Sequence, residues 1–147
     1  RGLGDVYKRQ LHRFVSASAV GRYYNLKSSE VGEMISLDVA IPRNEKQWFE
    51  KLPKDINEKI HANFHYGHLF CHVQHQNYIL KKGVNAKKLK KQMLEMYNKR
   101  GAQYPAEHNF GHEYKAKPNL LNFYRSLDPT NTFNPGIGMS SKLKNWK

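Results

Sequence analysis

A period of two in the hydrophobic positions marks one stretch of the chain as a half-buried strand. In the stretch 31–41, apolar residues occupy every second position from Ile35 onward, and Asp38 lies on the alternate face. Successive side chains of a strand point to opposite faces, so this alternation predicts one apolar and one more polar face. Pro42 predicts the end of the strand.

Two other segments are predicted to be strands from their β-branched and aromatic residues. The segment 11–25 carries such residues around Gly21, which predicts a strand followed by a loop. The segment 64–80 predicts one long strand that contains several histidines. On a regular strand these histidines would fall into two pairs on opposite faces, His68 with His72 and His65 with His75.

Helical spacing and capping residues predict four helices. Asn44 with Gln47 three residues later has the pattern of a capping box, and Asn85 is placed to cap the clearest helix, with Gly101 as its C′ residue. Pro118 is placed at the first position of the last helix. The predicted helices are 44–52, 53–60, 86–100 and 118–127.

The order of these elements favours an α+β fold, with an antiparallel sheet on one side and helices on the other. After the last helix, DPTNTFNPGIG predicts a series of turns, and SKLKNWK is a basic tail. The first ten residues, RGLGDVYKRQ, lack an initiator Met and resemble an adapter-derived translation. We therefore interpret residues 1–10 as a non-native leader.

Charge limits the partners that the chain can attract. Its 147 residues include 25 Lys and Arg against 12 Asp and Glu, which gives a formal net charge of +13. Such an excess attracts polyanions, whether nucleic acid, anionic lipid or an acidic partner. Cys71 is the single cysteine, which rules out an intrachain disulfide. No apolar run approaches the roughly 20 residues that span a bilayer, so we expect a soluble or peripheral protein in a reducing compartment.

The segment YPAEHNFGHEY, residues 104–114, is the strongest candidate for chemistry. It places Glu107, His108 and His112 within six residues, with Pro105 and Gly111 favouring irregular backbone. Loops on a rigid scaffold are where catalytic groups concentrate. From these residues alone, a metal site, an acid–base site and a polar turn all stay open. The same holds for the strand histidines, which either bind a metal or make ordinary hydrogen bonds.

Several motifs recur together in the order of one known family. The motifs are HRF, SLDVAIPRN, YGH, KKGV, GAQYPAEHNFGHEYKA and DPTNTFNPGIGMSSKLKNW. From residue 11 to residue 147 the chain closely resembles the C-terminal part of the bacterial respiratory, quinone-reducing D-lactate dehydrogenases. That family is an FAD-dependent one of the vanillyl-alcohol-oxidase type. The resemblance implies an antiparallel, ferredoxin-like cap sheet with flanking helices, formed by residues 11–116, and a return segment, 117–147, to an FAD domain.

The resemblance also implies a function and partners. The chemistry would be oxidation of (R)-lactate, that is D-lactate, to pyruvate, with electrons passing through FAD to membrane quinone. FAD would be bound mainly by a separate N-terminal domain, so the chain alone would be inactive. The protein would lie on the cytoplasmic face of the bacterial inner membrane, peripherally, against an anionic surface. The lysines expected to contact that surface are Lys81, Lys82, Lys87, Lys88, Lys90, Lys91, Lys142, Lys144 and Lys147.

By analogy with related hydroxyacid dehydrogenases, the resemblance assigns roles to individual residues. His68, His75 and Glu107 would hold a divalent metal, and His108, beside Glu107, would be the catalytic base. A spacing of seven places His68 and His75 on opposite faces of a continuous strand unless a bulge intervenes.

Two other functions compete with this interpretation. A basic nucleic-acid-binding module would use the positive charge and the aromatic residues, although no nucleic-acid motif is present and we expect no nucleic-acid partner. A metal-binding domain without catalysis would use the histidines alone.

Overall fold

The computed structural model describes residues 3–47, 50–67, 72–104 and 115–147. The chain divides into two compact units, Arg1–Gln103 and Tyr104–Lys147. In the described part of the chain, no helix has both the length and the apolar content needed to cross a membrane.

The first unit is built on a three-stranded antiparallel sheet. Its strands are β1 (Val31–Ala40), β2 (Ile60–Gly67) and β3 (Val73–Lys81), in the spatial order β1-β3-β2. The alternation seen in the sequence is confirmed, because Ile35, Leu37 and Val39 are all buried. Beyond the other edge of β1, Ala40 and Gln103 exchange backbone hydrogen bonds of 2.9 Å in an isolated antiparallel bridge. The α+β class and the antiparallel sheet are thus confirmed.

The prediction of one long strand over 64–80 is wrong. One strand, β2, ends at Gly67, another, β3, begins at Val73, and the two pair antiparallel. The run of aromatic residues therefore belongs to two adjacent strands. His65 pairs with Gln76 rather than sharing a face with His75, so the predicted pairing of these two histidines is also wrong. The other predicted pair includes His68, which lies outside the described residues. The spacing argument that separated His68 from His75 no longer applies, because no continuous strand joins them.

The prediction of a strand over 11–25 is wrong as well. An α-helix, α1, spans Leu3–Leu26. Val20, Tyr23 and Tyr24 lie on one side of it at helical spacing and pack around Val31 and Ile79. Ordinary helix formers and the absence of proline let this packing override the content of β-branched and aromatic residues.

The predicted helix over 44–52 does not form in its described residues, 44–47 and 50–52. Glu45 accepts a hydrogen bond from the backbone of Gln47 at 3.0 Å, which is a local turn rather than a capping box. Glu45 and Glu50 both reach Arg100. These ion pairs tie Glu45 and Glu50 to the residue that follows α3.

The other predicted helices form, although the one predicted over 53–60 is shorter, because Ile60 is already the first residue of β2. A short helix, α2, spans Lys54–Asn57, and α3 spans Ala86–Lys99. The Asn85 side chain accepts a hydrogen bond from the Lys88 backbone at 2.9 Å, so it caps α3 as predicted. Gly101, with a φ of 69°, follows the end of the helix in the left-handed conformation that glycine tolerates best.

Helices lie on both faces of the sheet, which corrects the prediction of helices on one side only. Leu89, Met93 and Tyr97 of α3 are buried, and the Tyr97 hydroxyl reaches Gln76 of β3. On the opposite face, Val20 of α1 belongs to the same buried cluster as Ile79. We call these the α3 face and the α1 face. Because side chains alternate along β3, even-numbered residues such as Gln76 lie on the α3 face and odd-numbered ones such as His75 on the α1 face.

The second unit contains the helix α4, Pro118–Leu127, followed by turns. The Asp128 carboxylate accepts from the backbone N–H groups of Thr132 at 2.7 Å and Phe133 at 2.9 Å. The Asn131 amide donates to the carbonyls of Ser141 at 2.8 Å and Leu143 at 2.9 Å. Hydrogen bonds from these side chains to the backbone therefore stabilise the predicted series of turns. The segment ends in two short 3₁₀ helices, Ile137–Met139 and Lys144–Trp146.

Candidate functional site

One of the four predicted site residues can be placed. His75 lies on β3, in the middle of the sheet. His68, Glu107 and His108 lie outside the described residues, as do Cys71 and His112. The roles of His68 and Glu107 as metal ligands, of Glu107 as a catalytic residue and of His108 as the base stay predictions.

His75 is held by a carboxylate that sequence reasoning did not assign to the site. Asp38 of β1 is directly opposite His75 in the antiparallel register. The distance from His75 Nδ1 to Asp38 Oδ1 is 2.7 Å, and the side chains are 18% and 10% exposed. Against an ionised carboxylate, which only accepts, Nδ1 is the ring atom that donates in this bond.

Tyr66 completes a row across the sheet. It is directly opposite His75 on β2, so Asp38, His75 and Tyr66 share the α1 face. We call these three residues the polar row. The Tyr66 ring packs against the Val20–Val31–Ile79 cluster, and its hydroxyl is buried without a hydrogen-bond partner among the described residues. A buried hydroxyl left without a partner costs about 1–3 kcal/mol.

The α3 face carries a polar network of a different kind. The side-chain oxygen of Gln76 accepts from the hydroxyl of Tyr78 at 2.7 Å and from that of Tyr97. All three side chains are fully buried. Burial raises the pKa of Tyr78 and the pKa of Tyr97, so both hydroxyls stay protonated and act as donors.

Two groups border this network. His65 meets the ring of Tyr78 edge-on, with 5.6 Å between ring centroids, and burial lowers the pKa of His65. Arg100 forms ion pairs with Glu50, whose side chain is 3% exposed, and with Glu45 at 3.4 Å. Burial by itself would lower the pKa of Arg100, but the two carboxylates raise it. Arg100 therefore stays charged and balances Glu50.

A groove opens at the end of the sheet where β1 finishes. Its volume is ≈ 500 Å³, and it is lined by Ala40, Ile41, Pro42, Arg43, His72, Gly101 and Gln103. Ala40 is two residues from Asp38, and His72 is three residues from His75. The groove supplies space for a small ligand at this end of the first unit.

Metal binding is not tested by the described residues. Among them, no three His, Cys, Asp or Glu side chains come together as a metal site. Two of the three predicted ligands, His68 and Glu107, lie outside these residues. The Asp38 carboxylate on Nδ1 of His75 is the outer-shell contact that metal-binding histidines usually have, so His75 fits a ligand role.

The first unit also presents a cluster of lysines. Lys87, Lys88 and Lys91 are exposed on α3, whose first turn contains no acidic residue. Positive side chains at a helix N-terminus oppose the helix dipole at a cost of a few tenths of a kcal/mol each. The cluster is therefore unfavourable for the helix by itself, and an external anion would offset that cost.

The second unit has a separate apolar pocket of ≈ 190 Å³. It is lined mainly by Tyr124, Leu127, Phe133, Ile137 and Trp146. Phe133 is 89% exposed and Leu127 is 65% exposed. Large exposed apolar side chains of this kind mark a surface that another part of a protein or a membrane covers.

The fold and these sites define an α+β region with a cationic helix and a carboxylate-anchored histidine. A family model described as "D-lactate dehydrogenase, membrane binding" matches residues 4–146. The chain belongs to this family.

Its relatives carry a consistent name, quinone-dependent D-lactate dehydrogenase. The Haemophilus influenzae protein is 54% identical over 136 residues, which cover 92% of this chain. The Escherichia coli protein is 53% identical over 140 residues, or 95% of the chain, and the Corynebacterium glutamicum protein is 43% identical over 136 residues, or 92%. In each case the match spans 24% of the relative, so the chain covers about a quarter of their length.

Proposed function

We propose that this chain is the C-terminal part of a respiratory, FAD-dependent D-lactate dehydrogenase. The enzyme would oxidise (R)-lactate to pyruvate and pass the electrons to membrane quinone. The observation that supports this most is the identity of 53–54% to two quinone-dependent D-lactate dehydrogenases over more than nine-tenths of the chain. On this proposal the chain contributes cap and membrane-contacting parts, and residues 117–147 return to an FAD domain.

The cap is proposed to be ferredoxin-like, as in flavoproteins of the vanillyl-alcohol-oxidase type. The strand order β1-β3-β2 places β3 between two strands that follow one another in sequence. The Ala40–Gln103 bridge lies beyond the other edge of β1, where a fourth strand of a β-α-β-β-α-β unit would pair. The arrangement is therefore compatible with most of such a cap.

The reaction requires removal of a proton and a hydride equivalent from lactate. FAD, when bound mainly by the upstream domain, supplies the two-electron acceptor. His108 is proposed to take the hydroxyl proton, and His68, His75 and Glu107 to hold a divalent metal that polarises the substrate's oxygens. Of these, the anchored imidazole of His75 is the part supported by geometry.

The catalytic proposal is tested with the full-length protein. We expect D-lactate-dependent reduction of a quinone analogue, no activity from residues 1–147 alone, and loss of turnover without loss of FAD in His108→Asn. Unchanged turnover in this variant would remove His108 from the mechanism. A full-length protein that reduces quinone with another 2-hydroxy acid, but not with D-lactate, would refute the substrate assignment.

The lysine cluster on α3 is proposed to contact anionic head groups at the cytoplasmic face of the inner membrane, which makes the protein peripheral. Each lysine near such a surface contributes about 1 kcal/mol. The double variant Lys87→Gln, Lys91→Gln should therefore weaken binding to phosphatidylglycerol vesicles by about 30-fold. The control Lys46→Gln, Lys51→Gln removes the same charge from exposed residues outside α3.

Equal losses in the two double variants would mean that net charge, and not α3, governs vesicle binding. Tight oligonucleotide binding at physiological salt, lost in the α3 variant, would instead favour the nucleic-acid-binding alternative.

A further inference from the structure

The helix α1 contacts the sheet only near its C-terminal end. Val20, Tyr23 and Tyr24 pack against the cluster around Val31 and Ile79. Every side chain from residue 11 to residue 18 is exposed, which is a length of about 12 Å at the rise of an α-helix. Packing on the sheet therefore does not explain which residues occupy this part of α1.

The exposed part of α1 carries an apolar stripe, formed by Leu11, Phe14 and Val15. Each of these side chains is more than half exposed. Their spacing of i, i+3 and i+4 places them on one side of the helix. At about 100° per residue, that side points about 180° away from the side that packs on the sheet. The apolar stripe therefore faces away from the sheet and does not extend its packing surface.

The charge of this helix has one sign. Residues 11–26 contain no Asp or Glu, and Arg13 and Arg22 are exposed. Exposed Leu and Phe on a basic helix are typical of helices that lie in the interface of an anionic bilayer. A second copy of this chain would bring the same net charge of +13, which opposes self-association through α1. An anionic bilayer complements both the charge and the apolar stripe.

We propose that the apolar stripe of α1 inserts into the interface of an anionic bilayer. This inference rests on the membrane contact of the proposed function, and it adds an apolar anchor to the lysines of α3. The two kinds of contact differ in their response to salt. Attraction between lysines and head groups is screened as the ionic strength rises. Removal of apolar side chains from water is not screened.

Vesicle binding of the full-length protein at two salt concentrations separates these contacts. In about 0.1 M salt, Leu11→Gln, Phe14→Gln and Lys87→Gln, Lys91→Gln should both weaken binding to phosphatidylglycerol vesicles. In about 0.5 M salt the loss in the lysine variant should largely disappear. The stripe variant should still bind about tenfold more weakly or worse, because full burial of one such side chain changes a binding constant by roughly tenfold or more.

Leu26→Gln is the matched control, since Leu26 is an exposed leucine of α1 outside the apolar stripe. The control and the stripe variant should both keep the melting temperature of the parent, because they replace exposed side chains. Equal vesicle binding by the control and the stripe variant would overturn the inference. So would a stripe variant that binds as tightly as the parent in about 0.5 M salt.

Insertion itself is measured with Phe14→Trp in the full-length protein. Relative to the parent, its added fluorescence should shift to shorter wavelength on vesicles and be quenched by lipids with brominated acyl chains. The fluorescence added by Leu26→Trp should respond less. A Phe14→Trp signal that is already shifted without vesicles would show that another part of the protein, or a second copy, covers the stripe, and would refute insertion.

The failure of this inference can be distinguished from that of the proposed function. D-lactate-dependent quinone reduction, together with vesicle binding that does not depend on the stripe, would sustain the dehydrogenase and refute the apolar anchor. Salt-resistant, stripe-dependent binding by a protein that does not oxidise D-lactate would sustain the anchor and refute the dehydrogenase.

Discussion

The two faces of the sheet are built from the same three strands, but the polar side chains on them differ in how completely they are hydrogen-bonded. On the α3 face, the buried hydroxyls of Tyr78 and Tyr97 both donate to Gln76. On the α1 face, His75 is anchored by Asp38 while the Tyr66 hydroxyl has no hydrogen-bond partner among the described residues. The difference teaches that a fully paired buried network stabilises a fold, whereas an unpaired buried hydroxyl costs it free energy.

The largest expected effect on stability concerns Arg100, whose positive charge compensates the carboxylate of Glu50 beside the α3 face. Arg100→Met keeps much of the aliphatic stem and leaves the carboxylate of Glu50, at 3% exposure, without its cation. We expect a loss of about 3 kcal/mol in the free energy of unfolding, measured by urea denaturation, because a buried charge is left uncompensated. Adding Glu50→Gln should restore most of it. If the single variant is as stable as the parent, the ion pair does not support this face.

Gln76→Leu tests how much the hydrogen-bond network of the α3 face contributes to stability. The substitution removes the acceptor of both tyrosine hydroxyls, and we expect a loss of about 2–3 kcal/mol by urea denaturation. In a Gln76→Leu background, Tyr97→Phe should cost almost nothing, because its hydroxyl has already lost its partner. Additive losses in the double variant would show that the two side chains are not coupled.

His65 gives the smallest effect, which depends on pH. Burial lowers the pKa of His65 below its ordinary value of 6.5, so the unfolded chain binds the proton more readily than the folded chain. Stability attributable to His65 is therefore present above pH 6.5 and is lost as the pH falls below it. His65→Gln should flatten the decrease in stability between pH 7 and pH 5, measured by urea denaturation. If stability falls as steeply with pH as in the parent, the pH dependence comes from groups other than His65.

The sequence revealed those parts of the fold that depend on local rules. The alternation in β1, the Asn85 cap and the Pro118 start all follow from spacing and backbone chemistry within a few residues. The division of 64–80 into two paired strands and the helix α1 depend on packing between distant residues, and both were missed. Gly67 was the one local signal that the histidine-rich segment is two strands.

The candidate site was predictable only in part, for the same reason. His75 came from resemblance, while Asp38 and Tyr66 join it through the pairing of three strands, which no spacing in the sequence encodes. One sign was present in β1, where Asp38 interrupts apolar neighbours on both sides. An acid within a strand that is otherwise apolar indicates a buried partner.

The position of β3 between β1 and β2 governs when this unit can assemble. In the described part of the sheet, each outer strand pairs with β3 and neither pairs with the other. When the ribosome has released the chain only as far as β2, the two strands present do not pair with each other. Sheet formation must wait until Lys81 has emerged, and β1 then closes a loop of some fifty residues, from Val31 to Lys81, in one late event.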